Sequence, residues 1–162
     1  MVIVLSIRDG GRAMAFAVRR IGQLGSQRDV VQQAESEVLR TVLVVDDRKD
    51  VAATMADMCL AFGFQAVIGA DGESMFALLE LHRPDCVICD VMMPGQDGFE
   101  ALREIARFDP SLPVLLVTGH GDDWLRMGQT LGRAQGLSLI HTASKPVRAA
   151  ALRGFLEAVP CR

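Results

Sequence analysis

The sequence predicts an α/β protein in which a parallel sheet is covered by helices on both faces. From Thr41 onward, five short apolar runs alternate with five stretches of helical periodicity, the order typical of parallel strands joined by crossover helices. Several of these runs are apolar at nearly every position, as expected when both faces of a strand are buried. The chain has 162 residues and is 50% hydrophobic, which is enough for one sizeable core and an appendage.

Five elements make up the first half of the alternation. "TVLVVD" and "DCVICD" are apolar runs that end on an acid, and "FQAVIG" is a shorter run between them. The first helical pattern repeats Val51, Met55 and Cys59 and stops at Gly63, a residue favoured after helix ends. In chain order we predict a strand at 41–46, a helix at 49–62, a strand at 64–69, a helix at 71–82 and a strand at 85–90.

The second half repeats the alternation with one weaker element. "GFEALREIARF" follows Asp97, a favourable N-cap. The helical pattern that begins at Asp123 is weaker because Gly128 and Gly132 lie inside it. In chain order we predict a helix at 98–108, a strand at 113–118, a helix at 123–134, a strand at 137–144 and a helix at 148–159.

Residues 1–40 precede the alternation and are predicted to form a helical extension of unknown role. Ala13–Leu24 places apolar residues on one helical face and arginines on the other. Ser26 and Asp29 have the spacing of a capping box, which would open a second helix running to about Arg40. The predicted organisation is an extension at 1–40, a domain at 41–159 and a tail at 160–162.

Charge and cysteine content argue against several classes of protein. The formal net charge is −3, so no basic field favours direct binding of nucleic acid or a membrane surface. No apolar stretch approaches the roughly 18 residues of a membrane span, so we expect a soluble, cytoplasmic protein. Cys86 and Cys89 have the spacing of half a zinc site, but an odd offset in a strand directs the two side chains to opposite faces. We interpret the four cysteines as buried apolar residues: Cys59, Cys86, Cys89 and Cys161.

Polar residues follow four of the five predicted strands at the point where each strand ends. Asp46 and Asp47 end the first strand, Asp90 ends the third, Thr118 ends the fourth and Lys145 follows the fifth. In open parallel sheets the functional site lies beyond the carboxyl ends of the strands. The sequence therefore predicts that three carboxylates, one hydroxyl and one ammonium meet on one rim.

The predicted cluster favours a hard cation and phosphoryl chemistry. Three neighbouring carboxylates repel one another, and a divalent cation removes that cost. Ligands that are all oxygens indicate Mg²⁺ or Mn²⁺, and no organic cofactor site is predicted. A carboxylate can also attack phosphorus to form an aspartyl phosphate. Lys145 and the metal would then supply positive charge, and Thr118 would supply a hydrogen bond.

Four motifs, in this order and spacing, resemble the response-regulator receiver domain of two-component signalling. They are "VVDD", "CDVMMPGQDGFE", "LLVTGHGD" and "SKPV", within the segment from Thr41 to about Val159. The resemblance implies a doubly wound, flavodoxin-like sheet of five strands in the order 2-1-3-4-5. It also implies a cis peptide bond between Lys145 and Pro146.

The resemblance further implies a role for each residue of the rim. One carboxylate would accept the phosphoryl group. Three carboxylates and a backbone carbonyl would bind a metal ion, and two residues would contact the phosphoryl group. The implied assignments are Asp90 as phosphoacceptor, Asp46, Asp47, Asp90 and the Met92 carbonyl at the metal, Thr118 as switch and Lys145 as phosphate contact.

The function implied is that of a response regulator that receives a phosphoryl group from a histidine kinase or a phosphotransfer protein. Such a domain is not an enzyme on a separate substrate; it switches protein–protein interactions. No output domain is recognisable in the sequence, so we expect a separate output protein as a partner, and a homodimer stays open. Thr142 stands where the family often has Tyr or Phe, so we expect the face of the fourth helix, fifth strand and fifth helix to signal without an aromatic switch.

Two alternatives accompany this interpretation. One is a phosphorelay intermediate that passes the phosphoryl group onward. The other is an enzyme on the same fold, either a flavin-binding electron carrier or an aspartyl phosphatase. A flavin site would need a phosphate-binding loop where this chain has Asp46-Asp47-Arg48-Lys49, and the phosphatase would need an Asp where it has Met92.

Overall fold

The computed structural model describes residues 4–9, 12–17, 40–69, 74–93 and 96–160. The chain divides into two compact units, Met1–Leu39 and Arg40–Arg162, which are described separately.

The described part of the first unit is an antiparallel β-hairpin. Strand β1 (Val4–Asp9) pairs with strand β2 (Arg12–Ala17), with Val4 opposite Ala17 and Asp9 opposite Arg12.

The predicted helix over Ala13–Leu24 is therefore wrong for residues 13–17, which form a strand. The sequence between the two strands is Gly10-Gly11, a dipeptide that two-residue hairpin loops favour. This turn signal outweighs the helical spacing of the apolar residues that follow it. The remainder of that helix and the second predicted helix, which opens at Ser26, lie outside the described residues.

The second unit is built from strands alternating with helices, together with one short hairpin. The repeat begins at Thr41, as predicted. Its elements in chain order are β3 (Thr41–Val45), α1 (Lys49–Ala61), β4 (Gln65–Ile68), α2 (Met75–His82), β5 (Cys86–Asp90), β6 (Met92–Met93), β7 (Gln96–Asp97), α3 (Gly98–Phe108), β8 (Val114–Thr118), α4 (Asp122–Ala134), β9 (Ile140–Ser144) and α5 (Ala149–Glu157).

The five longer strands of this unit form one parallel sheet. Their spatial order is β4-β3-β5-β8-β9, which is the predicted order 2-1-3-4-5 when these strands are numbered along the chain. Every neighbouring pair is parallel, so the carboxyl ends of all five strands lie at one rim. The doubly wound fold is confirmed.

Two apolar clusters cover the two faces of the sheet. In β5, Val87 and Cys89 belong to the cluster that contains residues of α2, α3 and α4. Cys86 and Ile88 belong to the opposite cluster, with residues of α1 and α5. The strand is fully buried because helices cover both of its faces.

The cysteine prediction holds for the three cysteines within the described ranges. Cys59, Cys86 and Cys89 are reduced and fully buried, and the last two face opposite sides of the sheet. Burial raises the pKa of the Cys59 thiol to about 11 and that of the Cys89 thiol to about 12, so both stay protonated at neutral pH. Cys161 lies outside the described residues.

Local hydrogen bonds move two element boundaries away from the predicted ones. Helix α2 begins at Met75, because Ser74 accepts the N–H of Ala77 at 3.2 Å and acts as the N-cap. Strand β9 begins at Ile140 rather than at residue 137. The Leu137 N–H donates to the Gly132 carbonyl at 3.0 Å, so Leu137 completes the turn after α4 and does not join the sheet.

Among the described residues, none of the helices combines the length and the hydropathy that crossing a membrane requires.

Candidate functional site

The carboxyl ends of neighbouring strands bring the predicted site residues to one rim. Asp90 lies opposite Val117 in the ladder between β5 and β8, and Thr118 lies opposite Ser144 in the ladder between β8 and β9. Strands β5 and β8 are buried along their whole length. The side chains at the rim are therefore carried by rigid elements, which suits a site that needs fixed geometry.

Lys145 joins two buried carboxylates from different strands. Its Nζ lies 2.6 Å from Asp46 Oδ2 and 2.6 Å from Asp90 Oδ2. Asp46 is 6% exposed and Asp90 is 4% exposed. One ammonium is thus shared by two buried acids, and its single charge cannot neutralise both.

The second oxygen of each acid is fixed by a backbone amide two residues further along the chain. Asp46 Oδ1 accepts the N–H of Arg48 at 3.1 Å, and Asp90 Oδ1 accepts the N–H of Met92 at 3.0 Å. Asp side chains commonly bond to nearby backbone in this way, so the orientation of each carboxylate is set locally.

The acid pair increases the proton affinity of the lysine. Burial by itself lowers the pKa of Lys145, but hydrogen bonds and ion pairs to Asp46 and Asp90 outweigh burial and raise that pKa above its ordinary value of 10.5. The Lys145 side chain therefore carries its charge throughout the physiological pH range.

Asp47 contributes a third carboxylate and opens the group to solvent. One oxygen from each of Asp46, Asp47 and Asp90 lies within 4.8 Å of the other two, and Asp47 is exposed. With Lys145 as the counter-charge, the formal net charge of these four side chains is −2, and the exposed Arg48 guanidinium is also attracted by Asp46 and Asp47.

The donor set of this group fits a hard divalent cation. Asp46 Oδ2 is buried and, apart from its ion pair with Lys145, has no well-oriented hydrogen-bond donor among the described residues. Oxygen ligands, excess negative charge and access from the Asp47 side are what Mg²⁺ requires of a protein site.

Thr118 contacts both segments that flank the acidic group. It is fully buried, and its Oγ1 accepts the N–H of His120 at 3.2 Å. Its carbonyl oxygen accepts the N–H of Lys145 at 2.8 Å. Thr118 therefore holds the loop that leads to α4 and also the strand end that carries the lysine.

The structure places most of the predicted site residues together at one rim. One predicted contact, a metal ligand, is not tested by the structure. The carbonyl of Met92 stays a predicted metal ligand; its amide is the group that contacts Asp90. The Lys145–Pro146 peptide bond is cis, as expected. The residues gathered at the rim are Asp46, Asp47, Asp90, Thr118 and Lys145.

Sequence reasoning missed two features of this rim. One is the sharing of Lys145 between two acids. The other is a hydrogen bond from Ser144 Oγ to Asp122 Oδ1 at 3.2 Å, which joins β9 to α4. Ser144 and Asp122 are 22 residues apart, and the contact follows no periodicity, so the sequence carries no signal for it.

Comparisons with known proteins agree with this fold. The family described as "Response regulator receiver domain" matches residues 42–154. The chain is 43% identical over 79 residues to the probable transcriptional regulatory protein TcrX of Mycobacterium tuberculosis, covering 48% of this chain and 33% of that protein. It is 38% identical over 82 residues to the C4-dicarboxylate transport transcriptional regulatory protein DctD of Rhizobium meliloti, covering 51% of this chain and 18% of that protein. The matches thus span a third or less of these two relatives.

A solved structure gives the same result at the level of the fold. The chemotaxis protein CheY4 of Vibrio cholerae superposes with a TM-score of 0.64 at 25% sequence identity, covering 76% of this chain and 100% of that one.

Proposed function

Because the chain belongs to the response-regulator receiver family of two-component signalling, we propose that Asp90 is its phosphoacceptor. The observation that supports this most directly is the environment of Asp90. It is the acid that ends the central, fully buried strand, one of its oxygens is bound by the Lys145 ammonium, and two further carboxylates lie within 4.8 Å. In this proposal the chain is a phosphoacceptor and does not turn over a separate substrate.

The proposed donor is a phosphohistidine on a histidine kinase or a phosphotransfer protein. An Asp90 oxygen would form a bond to phosphorus as the phosphorus–nitrogen bond breaks, and the electron pair would stay on the leaving imidazole nitrogen. The Met92 amide and Lys145 hold the Asp90 carboxylate in a fixed orientation for this attack. Positioning and charge compensation are the main requirements of phosphoryl transfer.

We infer that Mg²⁺, or Mn²⁺, is held by Asp46, Asp47 and Asp90 together with the Met92 carbonyl. When bound, the cation supplies positive charge next to the phosphoryl oxygens. Lys145 supplies a second positive charge at the same point, because its Nζ already touches Asp90.

Lys145 and Thr118 would convert the new phosphoryl group into a structural change. The lysine would move its Nζ from Asp46 toward a phosphoryl oxygen. The Thr118 hydroxyl would turn toward the same group, and the His120 amide would then lose its present acceptor. A local charge change of this kind can bias an element that has two arrangements.

The surface proposed to carry the signal is formed by α4, β9 and α5. Thr142 is exposed on β9 in place of the aromatic residue common in the family, so α4 and the loop before it would carry the change. The proposed partner is an output protein in the cytoplasm. The proposed extent of the receiver is 41–159, between the extension at 1–40 and the tail at 160–162.

Acetyl phosphate with Mg²⁺, followed by intact-mass measurement, tests the assignment. We expect the chain to gain the mass of one phosphoryl group, and Asp90→Asn to abolish this gain because the nucleophilic oxygen is removed. Asp85→Asn serves as the control, because Asp85 directly precedes β5 and Asp90 ends it. This variant should be labelled like the unaltered protein. Undiminished labelling of Asp90→Asn would show that another residue is the acceptor.

A further inference from the structure

A side-chain hydrogen bond joins the end of β9 to the first residue of α4. Ser144 Oγ donates to Asp122 Oδ1 at 3.2 Å. Ser144 immediately precedes Lys145 in the sequence, and Asp122 is the residue at which α4 begins. Both residues are exposed, so the bond is not part of the apolar core. It links the lysine of the candidate site to a helix of the proposed signalling surface.

Thr118 also connects the end of β9 to the loop before α4. It lies opposite Ser144 in the sheet, and its carbonyl accepts the Lys145 N–H at 2.8 Å. Its hydroxyl accepts the His120 N–H at 3.2 Å. The short loop between His120 and Asp122 is therefore held at one end by Thr118 and at the other by Ser144.

The first turn of α4 has weak local support of its own. Gly121, with φ of 99°, occupies the N-cap position and provides no side chain to accept the first helical N–H groups. Gly128 and Gly132 lie inside the helix and lower its intrinsic stability. A second side-chain hydrogen bond to β9, from Gln129 Nε2 to the Ile140 carbonyl, lies about two turns further along the helix. Contacts made outside the helix therefore add to the support that its two acidic residues give the first turn.

We propose that the Ser144–Asp122 hydrogen bond is a latch that holds the start of α4 in the unphosphorylated arrangement and opposes phosphorylation of Asp90. The inference rests on the proposed function and adds two positioning residues to it. In the structure, Lys145 is bound to both acids and the Thr118 hydroxyl is occupied by His120. Moving Lys145 toward a phosphoryl group pulls on Ser144, and releasing His120 frees the loop that ends at Asp122.

The chain provides a close control for the acidic half of the latch. Asp122 and Asp123 are both exposed acids in the first turn of α4, so both interact with the helix dipole in a similar way. Asp122 accepts from Ser144, whereas Asp123 forms an ion pair with Arg126 on the same helix. Asp123→Ala thus controls for the loss of one negative charge but also loses an ion pair, so the serine half of the latch gives the deciding comparison.

Hydrogen exchange of the full chain, without any phosphate analogue, tests the latch itself. An exposed hydrogen bond of this kind changes an equilibrium by about two- to fivefold. The first amides of an α-helix have no acceptor within the helix, so exchange is followed at residues 125–128. We expect it to accelerate by that factor in Asp122→Ala and in Ser144→Ala. Ser138→Ala, which alters an exposed serine late in the loop between α4 and β9, should leave it unchanged, whereas Asp123→Ala should accelerate it through the loss of its charge and of its ion pair with Arg126. Equal exchange in Ser144→Ala and Ser138→Ala overturns the latch.

Beryllofluoride with Mg²⁺, used as the mimic of phosphorylated Asp90, tests the coupling. Its affinity can be followed through the single tryptophan, Trp124, in α4. We expect Asp122→Ala and Ser144→Ala to bind the probe about two- to fivefold more tightly, and the double variant to gain no more than either single one. Asp122→Asn, which keeps an acceptor oxygen, should bind like the unaltered chain.

The outcomes separate failure of the latch from failure of the proposed function. Faster exchange with unchanged or weaker beryllofluoride binding would overturn the coupling. If the unaltered chain does not bind beryllofluoride at all, the proposed function is wrong, and the exchange comparison still decides whether Ser144 and Asp122 hold α4.

Discussion

The two ends of the parallel sheet use charged residues in opposite ways. At the amino end, Asp85 Oδ2 accepts the N–H of Thr41 at 2.7 Å. Arg40 donates from Nη1 to the carbonyl of Val159 at 2.9 Å. Its Cζ atom lies 4.3 Å from the centroid of the Phe64 ring. Each of these charges meets an uncharged partner that completes the backbone or covers an aromatic face.

At the carboxyl end, by contrast, like charges are gathered together. Asp46, Asp47 and Asp90 approach one another within 4.8 Å, and Lys145 is the ammonium between two of them. Gathering carboxylates raises the energy of the folded chain, whereas the bonds at the amino end lower it. The comparison teaches that charge at one end stabilises the fold, while charge at the other end costs stability and has the arrangement that the proposed cation and phosphoryl site requires.

The largest expected effect comes from removing the ammonium that Asp46 and Asp90 share at the carboxyl end. Lys145→Met leaves two buried carboxylates without their counter-charge, and we expect the free energy of unfolding without Mg²⁺ to fall by about 3 kcal/mol. Added Mg²⁺ should restore part of the loss, because it supplies the missing positive charge. Urea unfolding at both metal concentrations measures this.

The only other lysine of the chain provides the control for that substitution. Lys49 is exposed at the start of α1, so we expect Lys49→Met to change the free energy of unfolding by at most about 0.5 kcal/mol. An equal loss in both variants would show that the effect is not specific to the ammonium that Asp46 and Asp90 share.

A smaller effect is expected at the amino end. Asp85→Ala removes the acceptor of the Thr41 N–H, and hydrogen bonds to a charged group contribute about 1.5 kcal/mol. Urea unfolding should show a loss of that size relative to the unaltered chain. Mg²⁺ should stabilise both proteins equally and leave the difference unchanged, because Asp85 lies at the other end of the strand from the proposed cation site. A difference that shrinks on adding Mg²⁺ would count against the comparison.

The smallest effect on the stability of the folded chain is expected from Asp47, whose removal acts on metal affinity. Asp47→Ala removes one proposed ligand, and we expect Mg²⁺ to bind about tenfold or more weakly, the usual result when a metal site loses a supporting group. Calorimetric titration measures the affinity, and unfolding without Mg²⁺ should show no loss of stability, because a repelling charge has gone. Asp57→Ala, an exposed acid further along α1, is the control. Unchanged affinity in Asp47→Ala would exclude the ligand role.

The order of elements could be predicted from sequence because apolar periodicity is strong between Thr41 and Val159. Helix α3 spans Gly98–Phe108, the predicted range. The start of β9 was placed three residues early, because Leu137 is as apolar as a strand residue and is buried in a turn instead. The helix predicted from Ala13 was wrong over residues 13–17, where a glycine pair favours a hairpin.

The composition of the rim could also be predicted, because parallel strands necessarily bring their carboxyl ends together. The pairing of individual atoms could not. Whether Lys145 binds one acid or both depends on side-chain angles at the ends of three strands. The Ser144–Asp122 bond likewise depends on where α4 begins, which is fixed by packing and not by any spacing in the sequence.

The contact between Arg40 and Val159 also bears on how this domain can be joined to other proteins. The chain enters β3 and leaves α5 at adjacent points, since Nη1 of Arg40 is 2.9 Å from the carbonyl oxygen of Val159. A domain whose two ends meet can be inserted into a surface loop of a host without separating the residues that flank the insertion. Asp90 lies at the opposite rim of the sheet, so a receiver fused in this manner would keep its acidic group facing outward from the host.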